Sequence, residues 1–243
     1  MIFDLNNIKL PRKINPDPIV EAVVEIRFES ELSPQNVVDK LLIEFGKEYS
    51  IKDLPLAEFP STMRDQDPQL RFLPVKQLIK DGLVLQIGGR VISFVNNKDY
   101  VGWLALKEKV EKMVKGLKDA TVVSQYKRLG IRYLNIFDYN ISDKINFVLS
   151  AAGRQIIDEK FDLRLSIEQD HFQAAIKLSN NVRKLVGDKI TMGSLVDIDA
   201  FTVNFQENQL MDLIEAVHLF EKKVFFALLK QDFVKENFAP EWD

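Results

Sequence analysis

The sequence predicts an α+β protein built from two related modules, each a strand, a helix, three strands and a helix, with antiparallel sheets. Two observations carry that expectation. The stretch Pro18 to Glu29, PIVEAVVEIRFE, puts Ala22, Val24, Ile26 and Phe28 on one face and Glu21, Glu25, Arg27 and Glu29 on the other. That is the period of a strand with one buried face. A degraded copy follows in mid-chain, Tyr126 to Phe137, YKRLGIRYLNIF, in which Gly130 to Tyr133 matches Glu25 to Phe28 and Arg132 stands in the place of Arg27. The modules are expected to divide into residues 1–119 and 120–243, each opened by its copy of this strand.

Residues 1–16, with Pro11 and Pro16, read as an extended lead-in, and Ile14 and Ile19 are expected to tuck against the body. After the first strand, Ser33 precedes Pro34, the arrangement of an N-cap with proline at the first helical position. Val37, Val38, Leu41, Leu42 and Phe45 then mark a helix over 34–49. Residues 50–68, with Pro55, Pro60 and Pro68, are expected to be irregular, followed by a short strand over 69–74. LVLQIGGRVISFV, from Leu83 to Val95, is the clearest hairpin, and Gly88-Gly89 suits a two-residue turn that needs positive φ. A helix over 100–117 has the buried stripe Trp103, Leu106, Val110, Met113, Val114 and Leu117.

In the second half, a strand over 122–137 leads to a short helix over 143–149 capped by Ser142. Strands are expected over 161–169, 172–179 and 194–203, with a tight connection at Asp170-His171 and a polar loop over 180–191. The last helix, over 208–230, carries Leu210, Leu213, Ile214, Val217, Phe220, Val224, Phe225 and Leu228 at helical spacing, wide enough to pack across a sheet. An antiparallel sheet with helices on one face leaves its edges open, and pairing two copies closes one of them. The order of elements is that of the TATA-binding-protein-like module, an analogy of fold that carries no claim about DNA.

Composition narrows the function classes. The chain has no Cys, which excludes disulfides, thiolate zinc sites and cysteine nucleophiles. Its net charge of -3 implies neither an acidic nor a basic partner and argues against constitutive nucleic-acid binding. No apolar run reaches the length of about 18 residues that marks a membrane span. The start, MIFDLNNIKLPRK, lacks the order of a secretory signal, so a cytoplasmic location is expected.

Candidate chemistry is sparse. The two histidines, His171 and His218, show no metal-ligand spacing; His171 falls at a strand turn, and His218 is expected at the edge of the last helix's stripe with a nitrogen hydrogen-bonded. Asp197 and Asp199 share one side of a strand, and Arg164, Ser166 and Glu168 do the same on a strand expected to neighbour it, with Lys177 and Ser179 beside them. Such a patch suits a divalent ion or paired carboxylates; equally, opposite charges stud the solvent face of an open sheet. Arg27 and Arg132 have the planar fork that recognises carboxylate or phosphate, or else bridge to Glu25, Glu21 or their equivalents. Gly88-Gly89 opens no helix and is no phosphate cradle. The run Lys107 to Lys118 has the spacing of a solvated helix face.

The stretch NPDPIVEAVVEIRF at Asn15 to Phe28, the strand residues Arg132, Tyr133 and Asn135, and the helix residues His218, Phe220 and Glu221 together resemble a sporadically distributed, uncharacterised prokaryotic protein family. Its members open with Pro-Ile-x-Glu-Ala, carry an Arg-Tyr-x-Asn strand in mid-chain and end in a helix with a His before Phe-Glu. The resemblance implies no activity and no cofactor; the family's patchy distribution is that of accessory or mobile-element genes. The leading expectation is a non-enzymatic binding or regulatory protein with a protein partner. The first alternative is an enzyme or small-ligand binder with a pocket between the modules, using Arg27, Arg132, Glu168, Asp197 and Asp199. The second is a nucleic-acid binder. No cofactor, no metal and no membrane association are expected, and a homo-oligomer is left open.

Overall fold

The computed structural model describes residues 5–80, 83–97, 99–148, 150–155, 160–186 and 189–242, without the side chains of 48, 151, 181, 184–186 and 189–191. In chain order the elements are β1 (Ile19–Glu29), α1 (Pro34–Phe45), β2 (Ser50–Asp53), α2 (Ser61–Gln66), β3 (Lys76–Lys80), β4 (Leu83–Ile87), β5 (Val91–Asn96), α3 (Trp103–Asp119), β6 (Gln125–Phe137), β7 (Ser150–Ala151), β8 (Arg154–Gln155), β9 (Asp162–Gln169), β10 (Phe172–Val186), β11 (Lys189–Val203), α4 (Leu210–Leu228) and α5 (Gln231–Asn237). The class is α+β, as the periodicities predict. The sheet is open and runs β2-β3-β4-β5-β1-β6-β11-β10-β9, with β7 and β8 a separate pair. Every strand pair whose register is described is antiparallel. No helix among the described residues is long and apolar enough to cross a membrane.

The chain groups into two compact units. One holds Glu21–Ile131 and Phe201–Glu215; the other holds the residues up to Val20, Arg132–Ala200 and those from Ala216 on. These units are not the halves 1–119 and 120–243, because β1, β6 and β11 each contribute residues to both.

In the unit that begins at Glu21, register builds the core directly. Val24 faces Phe94, Phe94 faces Leu85, and Leu85 faces Leu78, so one row of apolar side chains crosses four strands on one face. Ile26, Ile92 and Ile87 make the next row. Val37, Val38 and Leu41 of α1 and Leu106, Val110, Met113 and Leu117 of α3 are buried. The Ser33 side chain accepts the Asn36 N–H at 3.3 Å, capping α1 as its sequence predicts. The Gly88-Gly89 turn forms, yet neither glycine has positive φ. Their value is proximity: a Cβ on Gly88 would stand 2.7 Å from the Leu73 carbonyl oxygen, and one on Gly89 2.6 Å from Pro34 Cβ. The strand expected over 69–74 is instead a run of turns, held by Leu70 N–H and Arg71 N–H donating to the Asp67 carbonyl. The irregular stretch before it contains β2 and α2.

In the unit that includes Arg132, β9 and β10 pair as Leu163–Leu178, Leu165–Ile176 and Ile167–Ala174 around a turn at Asp170, whose φ is 57°. Val196, Ile198 and Ala200 of β11 and Val217, Val224, Phe225 and Leu228 of α4 are buried. Phe137, Phe233 and Phe238 cluster with ring centroids 5.4–6.3 Å apart. Two expectations are corrected here. Ser142 caps no helix: residues 142–144 form a turn, the Ser142 hydroxyl donates to Asn140 Oδ1, and Ile145 bridges to Leu229. The polar loop expected over 180–191 is strand at 180–186 and 189–191; residues 187–188 lie outside the described residues. Strand pairing supplies backbone hydrogen bonds that no side-chain pattern announces.

Candidate functional site

Three sets of polar side chains were weighed as sites, beginning with the face of the sheet that bears the charges. On β1, Arg27 Nε donates to Glu25 Oε1 at 2.6 Å and the guanidinium lies 5.5 Å from the centroid of Phe72. Arg128 donates to the same Glu25 oxygen at 2.9 Å and sits 4.4 Å over the Phe201 ring. Nearby, Arg71 and buried Arg90 are set against Glu29 and Asp65, two cations to two carboxylates. In the other unit Arg132 grips Asp197 with a bidentate pair, Nε to Oδ1 and Nη2 to Oδ2, both 2.7 Å. Asp199 shares that face of β11, two residues on. Glu168 is not part of the group: it lies on β9 opposite Gln173, and β10 stands between β9 and β11. The expected patch of Asp197, Asp199, Arg164, Ser166 and Glu168 is therefore split. Lys177 instead reaches Asp162 at 3.2 Å and holds that carboxyl below the usual range. Among the described residues no group of three or more metal-ligating side chains comes together.

The second set lies under α4. Tyr133 Oη and His218 Nδ1 share a 3.1 Å hydrogen bond, with the rings 87° apart. One turn along the same helix, Glu221 is buried, and its Oε1 has no hydrogen-bond partner among the described residues. Burial pushes its carboxyl well up, and the charge of Asp17 adds to this while Lys222 opposes it. Asp17 Oδ1 accepts the Ile19 N–H at 3.0 Å, and loss of water raises its carboxyl as well. Asn135, beside Tyr133 on β6, donates to the Val196 carbonyl at 3.2 Å. A carboxyl pushed up by burial, one helical turn from a Tyr–His pair, is proton-transfer chemistry in kind. Tyr133 at 2% and Glu221 at 3% exposure leave a substrate no way in.

The third set is a pocket of about 390 Å³ in the unit carrying α1 and α3. Its floor takes Leu85 and Phe94 from the apolar row already described, joined by Leu83 of β4, Met113 of α3 and Phe45 of α1. Gly116 completes it. A Cβ there would overlap the Phe45 ring, so the glycine, unfavourable inside a helix by about 1 kcal/mol against Ala, is what lets Phe45 lie flat on α3. Around the mouth, among the described residues, stand Lys47, Lys80, Lys109 and Lys112 with the carboxylate of Glu44. Lys109 and Lys112 are three apart on α3 and so share a side. Lys80 Nζ lies 6.0 Å from the Tyr49 ring. Lys47, Lys109 and Lys112 form no ion pair among the described residues.

Of the residues singled out from sequence, the structure joins Arg132 to Asp197 and Arg27 to Glu25, and leaves Glu168 apart. Sequence reasoning missed the pocket. Lys109 and Lys112 were read as a solvated helix face, and nothing local to α3 signals the β4, β5 and α1 side chains that complete the lining. His171 packs on Phe172 with centroids 4.0 Å apart. No protein-family model matches this chain, and no curated protein is similar to it in sequence.

Proposed function

We propose that the chain is a non-enzymatic binding or regulatory protein that takes an anionic ligand in the lysine-rimmed pocket. One observation carries this reading: among the described residues, four lysines and one glutamate surround an apolar floor in a chain whose net charge is -3. Positive charge is gathered here against the sign of the whole, and a concave site with such a rim raises the local concentration of anions. The volume falls within the range of about 300–1,000 Å³ typical of small-molecule sites. The test is calorimetric titration with inorganic pyrophosphate at low and high salt. Salt-sensitive binding that is lost in the Lys109→Gln/Lys112→Gln double variant is expected; heats indistinguishable from buffer, or binding that ignores the substitution, overturns the reading.

A protein partner is the second reading, favoured by β2. This edge strand is only four residues long and exposed along its whole length, which leaves backbone groups open to an added strand. Protection of Ser50–Asp53 amides from hydrogen exchange on addition of a captured partner would support it, and unchanged exchange would remove it. We also read the chain as an internal duplication. In support, the strand order outward from β1 is β5-β4-β3 and outward from β6 is β11-β10-β9, and α3 and α4 each follow the last strand of their set. The absence of a described helix between β6 and β9 is the departure from that plan. A cytoplasmic, accessory role is part of the same proposal.

A further inference from the structure

We infer that the pocket's ligand is an apolar chain ending in a multiply charged phosphate head, the chemistry of a prenyl diphosphate. This rests on the reading of the pocket as an anion-binding site. Depth sorts the lining by polarity. Leu85, Phe94 and Met113 are 2–4% exposed, whereas Lys47, Lys112 and Glu44 are exposed at the rim. A ligand matched to that order enters with its apolar end first and leaves its charge at the mouth. Among the described side chains, Lys47, Lys109 and Lys112, none of them in an ion pair, stand against Glu44, an excess that a single carboxylate does not neutralise and a diphosphate does. The described cations are all lysine, compact point charges that suit the spread charge of a diphosphate. Among the described lining side chains the one hydroxyl is that of Tyr49 and there is no amide, so a nucleobase would leave most of its polar edge without side-chain partners, at a cost an alkyl chain does not meet.

The opposing explanation is that the lysines merely complement the negative end of α1, near Phe45, and cover apolar surface with their stems. Titration of the full chain separates the two. The probes are geranyl diphosphate, geraniol, inorganic pyrophosphate and a nucleoside diphosphate. Geranyl diphosphate is expected to bind at least about tenfold more tightly than pyrophosphate, because its alkyl chain is buried against the apolar floor, and geraniol not to bind detectably. Lys109→Gln/Lys112→Gln should weaken geranyl diphosphate about tenfold or more with an unchanged melting temperature, and Lys109→Arg/Lys112→Arg should restore it, since charge and not shape is being read. Lysine-dependent binding of pyrophosphate and the nucleoside diphosphate as tight as that of geranyl diphosphate would overturn the ligand class and leave the anion site standing. Geraniol binding as tightly as its diphosphate would also overturn the class. If none of the anions binds, or if the lysine variants bind as wild type does, the ligand class and the anion site fall together.

Discussion

The lysine pocket and the polar set under α4 treat ionisable groups on apolar surface in opposite ways. At the pocket, charges stay in water at the rim while only their neighbours are buried, so Lys47 and Lys112 cost the fold little and keep their charge available. Under α4, Glu221 is taken out of water with no partner among the described residues for one oxygen, and burial pushes its carboxyl well up because the ionised form is the costlier one there. The first arrangement suits a site that waits for a charged ligand. The second suits a closed core, where polarity is neutralised before it is packed.

Three substitutions and one double-mutant cycle test that contrast. The largest effect belongs to Phe225→Ala, which removes a ring 6% exposed in the packed stripe of α4. A loss of about 3–5 kcal/mol is expected by chemical denaturation, and a melting curve unchanged from wild type would show that this face is not core. Glu221→Met follows. It replaces a buried unpartnered oxygen, a defect worth about 1–3 kcal/mol, so the variant should equal or exceed wild type in stability at alkaline pH. The pH trend has a definite sign. Below the ordinary carboxylate range both folded and unfolded chains carry the Glu221 proton. Above it the unfolded chain ionises while the folded one does not, so wild-type stability falls as pH rises, until the folded carboxyl ionises too. In the variant this fall should be smaller, leaving the like-signed contribution of Asp17. Equal slopes would mean that Glu221 is ionised when folded.

Gly116→Ala comes next, expected to cost about 1–3 kcal/mol through overlap with Phe45, less about 1 kcal/mol regained from helix propensity. It should also disturb pyrophosphate binding, since it moves a wall of the pocket; unaltered binding and stability would separate Gly116 from the site. The smallest effect is the coupling between Arg132 and Asp197. That pair is bidentate, but the arginine side chain is 44% exposed, so a double-mutant cycle should give about 0.2–1 kcal/mol. A larger value would mark the pair as a structural anchor.

Where a pattern is repeated along one element, it was legible. The alternation in β1, the Ser33 cap and the stripes of α3 and α4 all report which face meets the core, and the structure follows them. Segments 69–74 and 180–191 went the other way because their state is decided by partners distant in sequence. Apolar Leu70, Phe72 and Leu73 read as strand but found no strand to pair with, while polar Asn180 and Arg183 read as loop yet lie in the paired strand β10. The same reason hid the site. Arg132 was recognisable as a charged residue on a strand face, but Asp197 as its partner follows only from β11 lying beside β6. The pocket draws on four segments, and the spacings within each do not announce the others.

The residues before β1 are held by some of the last residues described. Arg12 N–H donates to the Glu241 carbonyl and Asn15 N–H to the Phe238 carbonyl, both at 2.7 Å, and the Arg12 guanidinium meets the Glu241 carboxylate at 2.7 Å. On the ribosome the interval between these partners is a matter of time. At about 5–20 residues per second, roughly 10–45 s separate the appearance of Asn15 from that of Phe238. Through that interval Arg12 and Asn15 lack these partners, and this part of the lead-in is available to any chaperone or protease that reads extended chain. The stitch closes only when synthesis has passed Glu241, so a message truncated just before Phe238 would leave Arg12 and Asn15 without it however well the helices and strands between had formed.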